Sequence, residues 1–72
     1  MSANSEKFKI EGEYIELIQL IKALGMAQTG GHAKMIVDEG LVKRDGEREY
    51  RRRAKLRPGE TVVIHDTTVE LS

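Results

Sequence analysis

The stretch that decides the fold is "MAQTGGHAKMIVDEGLVKRDGE", residues 26–47. Thr29 is a favourable helix N-cap, and Gly40 stands where a helix would end, so the pattern predicts a short helix between them. Its predicted buried face consists of the apolar residues at helical spacing: Ala33, Ile36 and Val37.

Two glycines, Gly30 and Gly31, fall in the first turn of this predicted helix. A glycine inside a helix costs roughly 1 kcal/mol relative to alanine, so something should offset it. Either the amides of this helix start bind a phosphate with the help of Lys34, or the glycines allow close helix packing while Lys34 pairs with Asp38. The sequence leaves both explanations open.

Upstream, the pattern predicts a strand and a first helix. Phe8 and Ile10 alternate with charged residues, as in a short strand. From Glu13 to Leu24 the apolar residues recur at helical spacing, and a glycine follows in the position of a C-terminal cap. Residues 1–5 are small and polar, and we expect them to be disordered.

Downstream, the pattern changes to strands. Asp45-Gly46 is a strong hairpin signal that favours a type I′ turn, and Pro58-Gly59 marks a second turn. The segments "TVVIH" and "TVELS" predict two further strands. The order β-α-α-β-β-β-β indicates an α+β fold, and a length of 72 residues allows one domain, residues 1–72.

The charge of the chain is balanced overall but divided along its length. Residues 43–57 hold eight basic and three acidic side chains, a net charge of +5, against −5 for the remainder. Six of the eight are arginine, which binds phosphate bidentately and stacks on bases. This composition favours nucleic acid over a solvated loop or a disordered arm. Tyr50 either stacks on a base or packs in a strand.

Several classes of function lack the residues they need. Cysteine is absent, which excludes disulfides, thiolate zinc sites and a thiol nucleophile. His32 and His65 have no spacing typical of metal ligands, and "TGGHAK" lacks the spacing of a nucleotide-binding P-loop. No stretch approaches the ~20 apolar residues of a membrane helix. We expect a cytoplasmic protein without enzymatic activity, cofactor, metal or small-molecule substrate.

A set of short motifs, in this order, resembles the S4-like RNA-binding domain (αL motif) family, in particular its short stand-alone bacterial members. The similarity is strongest over residues 14–64. The motifs that carry it are Ile21-Lys22, Gly25, Thr29-Gly30-Gly31, Ala33-Lys34, Glu39-Gly40, Val42, Asp45-Gly46-Glu47, Arg51-Arg52-Arg53, Lys55-Leu56 and Gly59-Glu60.

The resemblance implies two packed helices against a small, mostly antiparallel sheet. It also implies binding to structured RNA, either ribosomal or transfer RNA, with ribosomal particles as a further partner. In the family, the start of the second helix and the adjoining hairpin face the RNA. Carried over by position, the RNA-binding residues are Thr29, Gly30, Gly31, Lys34, Lys43, Arg44, Arg51, Arg52, Arg53 and Lys55, with Lys22 a further candidate. The alternative is a protein-interaction module whose basic face docks on an acidic protein partner.

Two departures from the family pattern bear most directly on RNA contact. Gly30 stands where many members have arginine, so a backbone contact must replace a side-chain contact there. Arg44 replaces a usually apolar strand residue, which adds charge and weakens the hairpin core. If the arginine triplet is extended, Arg51 and Arg53 share one face and Arg52 points to the other.

Overall fold

The computed structural model of the protein describes residues 4–72. This part of the chain contains two helices, α1 (Leu17–Ala23) and α2 (Gly30–Asp38). Its strands, in chain order, are β1 (Asn4–Phe8), β2 (Ile15–Glu16), β3 (Val42–Arg44), β4 (Glu47–Arg48), β5 (Lys55–Leu56), β6 (Thr61–Ile64) and β7 (Thr67–Leu71).

Five of the strands form one sheet in the order β1-β7-β6-β3-β4. All neighbouring pairs in it are antiparallel except β1 and β7, which are parallel. Strands β2 and β5 form a separate antiparallel ladder. The predicted α+β class, with two packed helices and a mostly antiparallel sheet, is confirmed.

The core consists of one cluster of buried apolar side chains from both helices and the sheet. Alternate residues of β6 and β7 point into it, as expected for strands with one buried face. The predicted inward face of α2 is also confirmed. The fully buried larger side chains are Leu17, Leu20, Ile21, Val37, Val42, Leu56, Val62, Ile64 and Val69.

Helix α1 begins later than its apolar spacing predicts, at Leu17 instead of Glu13. The residues before it form β2, in which Ile15 pairs with Leu56 of β5. Pairing with a distant strand therefore overrides a local helical period, a competition that the spacing of apolar residues does not resolve. The β2 pairing also gives α1 an unusual start.

The first amides of α1 are bound by a distant loop. Glu16 is the N-cap residue but makes no side-chain cap. Instead, the Leu17 N–H donates to the carbonyl of Ala54 (3.0 Å), and the Ile18 N–H donates to the carbonyl of Arg52 (3.1 Å). These bonds satisfy two of the donors that a helix start leaves open. They also attach the arginine-rich segment to the core.

The N-terminal part also differs from its prediction. Asn4 and Ser5, expected to be disordered, pair in parallel with Thr67 and Thr68 as part of β1. Backbone pairing of this kind needs no apolar side chains, which explains why the polar sequence gave no sign of it. The rest of the predicted disordered segment, residues 1–3, lies outside the described residues.

The predicted hairpin turn is confirmed between β3 and β4. Asp45 and Gly46 have φ values of 55° and 81°, as a type I′ turn requires. Gly40, after α2, also has a positive φ of 74°, consistent with its predicted role in ending the helix. These turns depend on local conformational preference and are readable from the sequence.

Candidate nucleic-acid interface

Helix α2 begins with a side-chain cap and two glycines. Thr29 has an extended backbone, and its Oγ1 accepts a hydrogen bond from the His32 N–H at 3.1 Å. Gly30 and Gly31 follow as the first two helical residues. The first amides of a helix have no intrahelical acceptor, and the helix dipole places partial positive charge there. The helix start is therefore suited to an anion.

Neither glycine is required by its backbone or by a close neighbour. The positive-φ glycines of the described chain do not include Gly30 or Gly31. Among residues 4–72, a Cβ at Gly30 would meet no atom within 4 Å, and one at Gly31 would meet only Thr29 Oγ1 at 3.8 Å. Close helix packing, one of the two explanations for the glycines, is not observed.

The arginine triplet forms a turn, which we call the arginine turn (residues 51–54). The Ala54 N–H donates to the carbonyl of Arg51 at 3.2 Å. The triplet is therefore not extended, and the predicted division of its side chains between two faces does not apply. This bend directs the carbonyls of Arg52 and Ala54 towards the start of α1, where they accept hydrogen bonds.

Two arginines of the turn are held by carboxylates in bidentate pairs. Arg51 contacts Glu49 through Nε (3.0 Å to Oε2) and Nη2 (3.1 Å to Oε1). Arg52 contacts Asp38 of α2 through Nε (3.0 Å to Oδ1) and Nη2 (2.6 Å to Oδ2). The second pair joins the arginine turn to α2, and each guanidinium keeps donors that face solvent.

These pairs change the acidity of the carboxylates. Hydrogen bonds from Arg51 lower the pKa of Glu49 to about 2, with a smaller contribution from Arg44. The Arg52 hydrogen bond likewise lowers the pKa of Asp38, and the charge of Lys34 contributes. Both carboxylates are therefore ionised at neutral pH, and part of the positive charge of the turn is neutralised within the protein.

Arg53 and Lys34 carry less compensated charge. The nearest carboxylate oxygen to Arg53 Nε is Glu16 Oε1, at 3.8 Å, and 82% of the Arg53 side chain is exposed. Lys34 is exposed and forms no ion pair within 4.0 Å among residues 4–72. The alternative in which Lys34 pairs with Asp38 is not observed; the Asp38 carboxylate pairs with Arg52.

Arg44 has a different environment from the other candidate residues. Its Nε donates to Glu60 Oε1 (2.8 Å), and its Nη2 donates to the Lys55 carbonyl (3.1 Å). Nη1 lies 3.4 Å from Glu49 Oε1, and only 21% of the side chain is exposed. Arg44 therefore connects the hairpin to β5 and to the loop before β6. The charge that the sequence suggested would weaken the hairpin core forms cross-links there.

Helix α2 and the arginine turn border a surface groove, which we call the α2 groove. Lys34, which borders the groove, lies one helical turn from Gly30 and Gly31. The residues that line it are Ile18, Lys34, Asp38, Tyr50, Arg52 and Arg53.

A second depression adjoins the α2 groove on the other side of Arg53. Its lining is mostly basic: Arg44, Arg51, Arg53, Ala54 and Lys55. The Lys55 Nζ also lies over the Tyr14 ring, 5.0 Å from its centroid. Arg53 borders both depressions, so the basic surface is continuous from α2 to β5.

Lys43 is separated from this surface. Side chains alternate along β3, and Val42 points into the core while Lys43 is exposed on the opposite face of the sheet. Its partner across the hairpin is Arg48, another cation. The structure thus brings Lys34, Arg52 and Arg53 together and places Lys43 elsewhere.

The α2 groove includes Ile18 and Asp38, which the sequence did not predict as part of a site, and Tyr50, for which base stacking and strand packing were both left open. Tyr50 is 55% exposed, and it packs over Gly40, where a Cβ would lie 3.0 Å from its Oη. A tyrosine beside an arginine triplet was a partial signal. Asp38 gave none, because its partner Arg52 is fourteen residues away.

No helix in residues 4–72 is long and apolar enough to cross a membrane. The same residues contain no group of three or more histidine, aspartate or glutamate side chains placed to hold a metal ion.

Comparison with known proteins gives a consistent result. Residues 8–72 match the family model described as "S4 domain". A stretch of 58 residues is 38% identical to the "Putative RNA-binding protein YbcJ" of Escherichia coli (strain K12), covering 81% of this chain and 83% of the relative. The "Uncharacterized protein YbcJ" of Shigella flexneri shows the same identity and coverage.

Proposed function

Since the chain belongs to the S4 domain family, we propose that it is a non-catalytic protein that binds structured RNA, either ribosomal or transfer RNA. The proposed contact surface is the α2 helix start together with the arginine turn and β5. The relative from Escherichia coli carries an RNA-binding description, which supports the general class of partner. We further propose that residues 1–72 act as one domain, in the cytoplasm and on ribosomal particles.

The glycine pair at the start of α2 is the observation that carries this proposal. A helix start without Cβ atoms lets a phosphate oxygen approach the exposed amides of Gly30 and Gly31. The Thr29 side chain caps the His32 amide and leaves the two glycine amides to the ligand. Lys34, one turn further on, supplies full positive charge on the same side.

The arginine turn extends this phosphate site. Arg53 is the most exposed of the three arginines, and Arg51 and Lys55 continue the surface around the second depression. Arg52 contributes through the donors that its pair with Asp38 leaves free. Lys43, on the other face of the sheet, would contact only an RNA that passes around the hairpin.

A salt titration with matched variants tests the proposal. Each phosphate contact contributes roughly −0.7 to −0.9 to the slope of log K against log salt. We expect Lys34→Ala and Arg53→Ala each to weaken binding to a structured RNA and to make the slope shallower by about that amount. Lys7→Ala, an equal loss of charge on β1, is the control and should change neither.

The outcome that contradicts the proposal is an equal effect of all three substitutions. Such a result would show that only total charge matters and that no localised surface binds the RNA. Binding to an acidic protein with no measurable RNA affinity would also overturn it.

A further inference from the structure

We propose that the α2 groove binds one unpaired nucleotide of the RNA, with its base on Tyr50 and Ile18 and its phosphate between Lys34 and Arg53. This inference rests on the proposed RNA-binding function and makes it more specific. It assigns to the groove a contact that a fully paired helix does not offer.

The α2 groove contains an exposed aromatic side chain. Tyr50 is exposed beside four ionisable side chains, and its ring offers a flat apolar face on which a base can stack. The ring packs over Gly40 at the end of α2, where the absence of a side chain leaves room for it. Ile18, half-buried, adds an apolar surface within the same groove. Stacked bases in a duplex cannot reach such a ring, whereas an unpaired base can.

The α2 groove also contains a carboxylate, that of Asp38. A surface that bound only phosphates would be weakened by Asp38, which is ionised and lies at the groove wall. Each oxygen of a carboxylate accepts more than one hydrogen bond, so the Arg52 pair leaves acceptor capacity at Asp38. The edges of bases carry amino and imino donors that such an acceptor can bind. Arg52 holds the carboxylate in a fixed orientation for this contact.

Two cations with few internal contacts, Lys34 and Arg53, also line the α2 groove. Lys34 has no ion pair among residues 4–72, and Arg53 has only a 3.8 Å contact to Glu16. An apolar surface with a hydrogen-bond acceptor, bordered by two available cations, matches the parts of one nucleotide: base face, base edge and phosphate. The charges also disfavour an apolar peptide as the occupant.

The fluorescence of single tyrosines provides a direct test, because the chain has two tyrosines and no tryptophan. In Tyr14→Phe, Tyr50 is the reporter, and in Tyr50→Phe, Tyr14 is the matched control. Two RNA duplexes, each made of two separate strands, are titrated: one is fully paired, and the other carries a single unpaired nucleotide within the helix. We expect Tyr50 to be quenched more strongly by the second RNA, while Tyr14 responds equally to both.

An affinity measurement completes the test. The wild type should bind the RNA with the unpaired nucleotide about tenfold more tightly than the paired RNA, as expected for one stacked base. Tyr50→Leu, which keeps an apolar side chain, should lose this preference and retain its affinity for paired RNA.

The possible failures are distinguishable. Equal affinity of the wild type for both RNAs, with equal quenching of Tyr50, overturns the nucleotide site and leaves the proposed function standing. Retention of the tenfold preference by Tyr50→Leu also overturns it. Absence of binding to either RNA overturns the proposed function and this inference with it.

Discussion

The start of α2 and the arginine turn differ in how their positive charge is presented. The arginine turn is the most basic part of the sequence, yet bidentate contacts to Glu49 and Asp38 partly neutralise it. The start of α2 has no cation before Lys34, yet its amides and glycines leave it open to an anion. A count of charged residues therefore overstates the attraction of the arginine turn for an anion and overlooks that of the start of α2.

The arginine turn also has a structural role that the start of α2 lacks. The carbonyls of Arg52 and Ala54 bind the first amides of α1, and the Arg52–Asp38 pair connects the turn to α2. A rigid basic surface loses less conformational entropy on binding than a flexible one. We infer that the carboxylates lower the net charge of the turn and hold its cations in position.

The largest effect on stability should come from Arg44, the candidate residue with the most internal contacts. Arg44→Ala removes the partner of Glu60 and a partner of Glu49, and should lower the free energy of unfolding by about 2 kcal/mol. Urea denaturation of the variant and the wild type measures this. Arg51→Ala, whose side chain is 74% exposed, is the comparison and should have the smaller effect. Equal losses would contradict the distinction between them.

A smaller effect should appear as a pH dependence centred on Glu49. Its pKa is lowered in the folded protein to about 2, so its ionised form stabilises the fold above its ordinary pKa of 4.5. That contribution is lost as the pH falls from 4.5 towards 2. We expect Glu49→Gln to be less stable than the wild type at pH 7 by about 1–2 kcal/mol, after allowance for solvent screening.

The difference between the two proteins should shrink as the pH approaches 2. Denaturation of both at pH 7, 4 and 2.5 checks this, with Glu47→Gln on the exposed side of the hairpin as the control. A difference that stays constant with pH would show that the Glu49 carboxylate is not responsible.

The smallest effect concerns Asp38, the carboxylate that lies between the two regions. Asp38→Asn removes a negative charge from the α2 groove, so binding to a fully paired RNA should become tighter by about twofold. Glu39→Gln makes the same change of charge on the next residue and should leave this affinity unchanged. Weaker binding by Asp38→Asn would show that the position of Arg52 matters more than the charge of the groove.

How much of the fold could be predicted from the sequence depends on how far apart the interacting residues lie along the chain. The Thr29 cap, the Asp45-Gly46 turn and the inward face of α2 depend on neighbouring residues, and the sequence predicted each of them. The start of α1 and the shape of the arginine turn depend on backbone bonds between residues about 35 positions apart, which a local pattern does not contain.

The candidate site divides in the same way. The glycine pair and Lys34 were predicted because a helix start can be recognised locally. The Arg52–Asp38 pair was not, since it joins the arginine turn to α2 across fourteen positions of the chain. Arg44 was predicted as an RNA contact from its position in the family motifs. Only the structure shows that its donors bind Glu60 and the Lys55 carbonyl.

The measurement that tests the central claim most directly is the RNA affinity of a Gly30→Ala/Gly31→Ala variant, with its thermal stability determined in the same buffer. Neither added methyl group meets a close neighbour in residues 4–72, and alanine favours helix by up to about 1 kcal/mol per position. We predict that the variant melts at the same or a higher temperature than the wild type and binds structured RNA at least tenfold more weakly. Gln28→Ala, just before the cap, is the control and should bind normally. A stable double variant with unchanged RNA affinity would contradict the claim that the start of α2 binds phosphate.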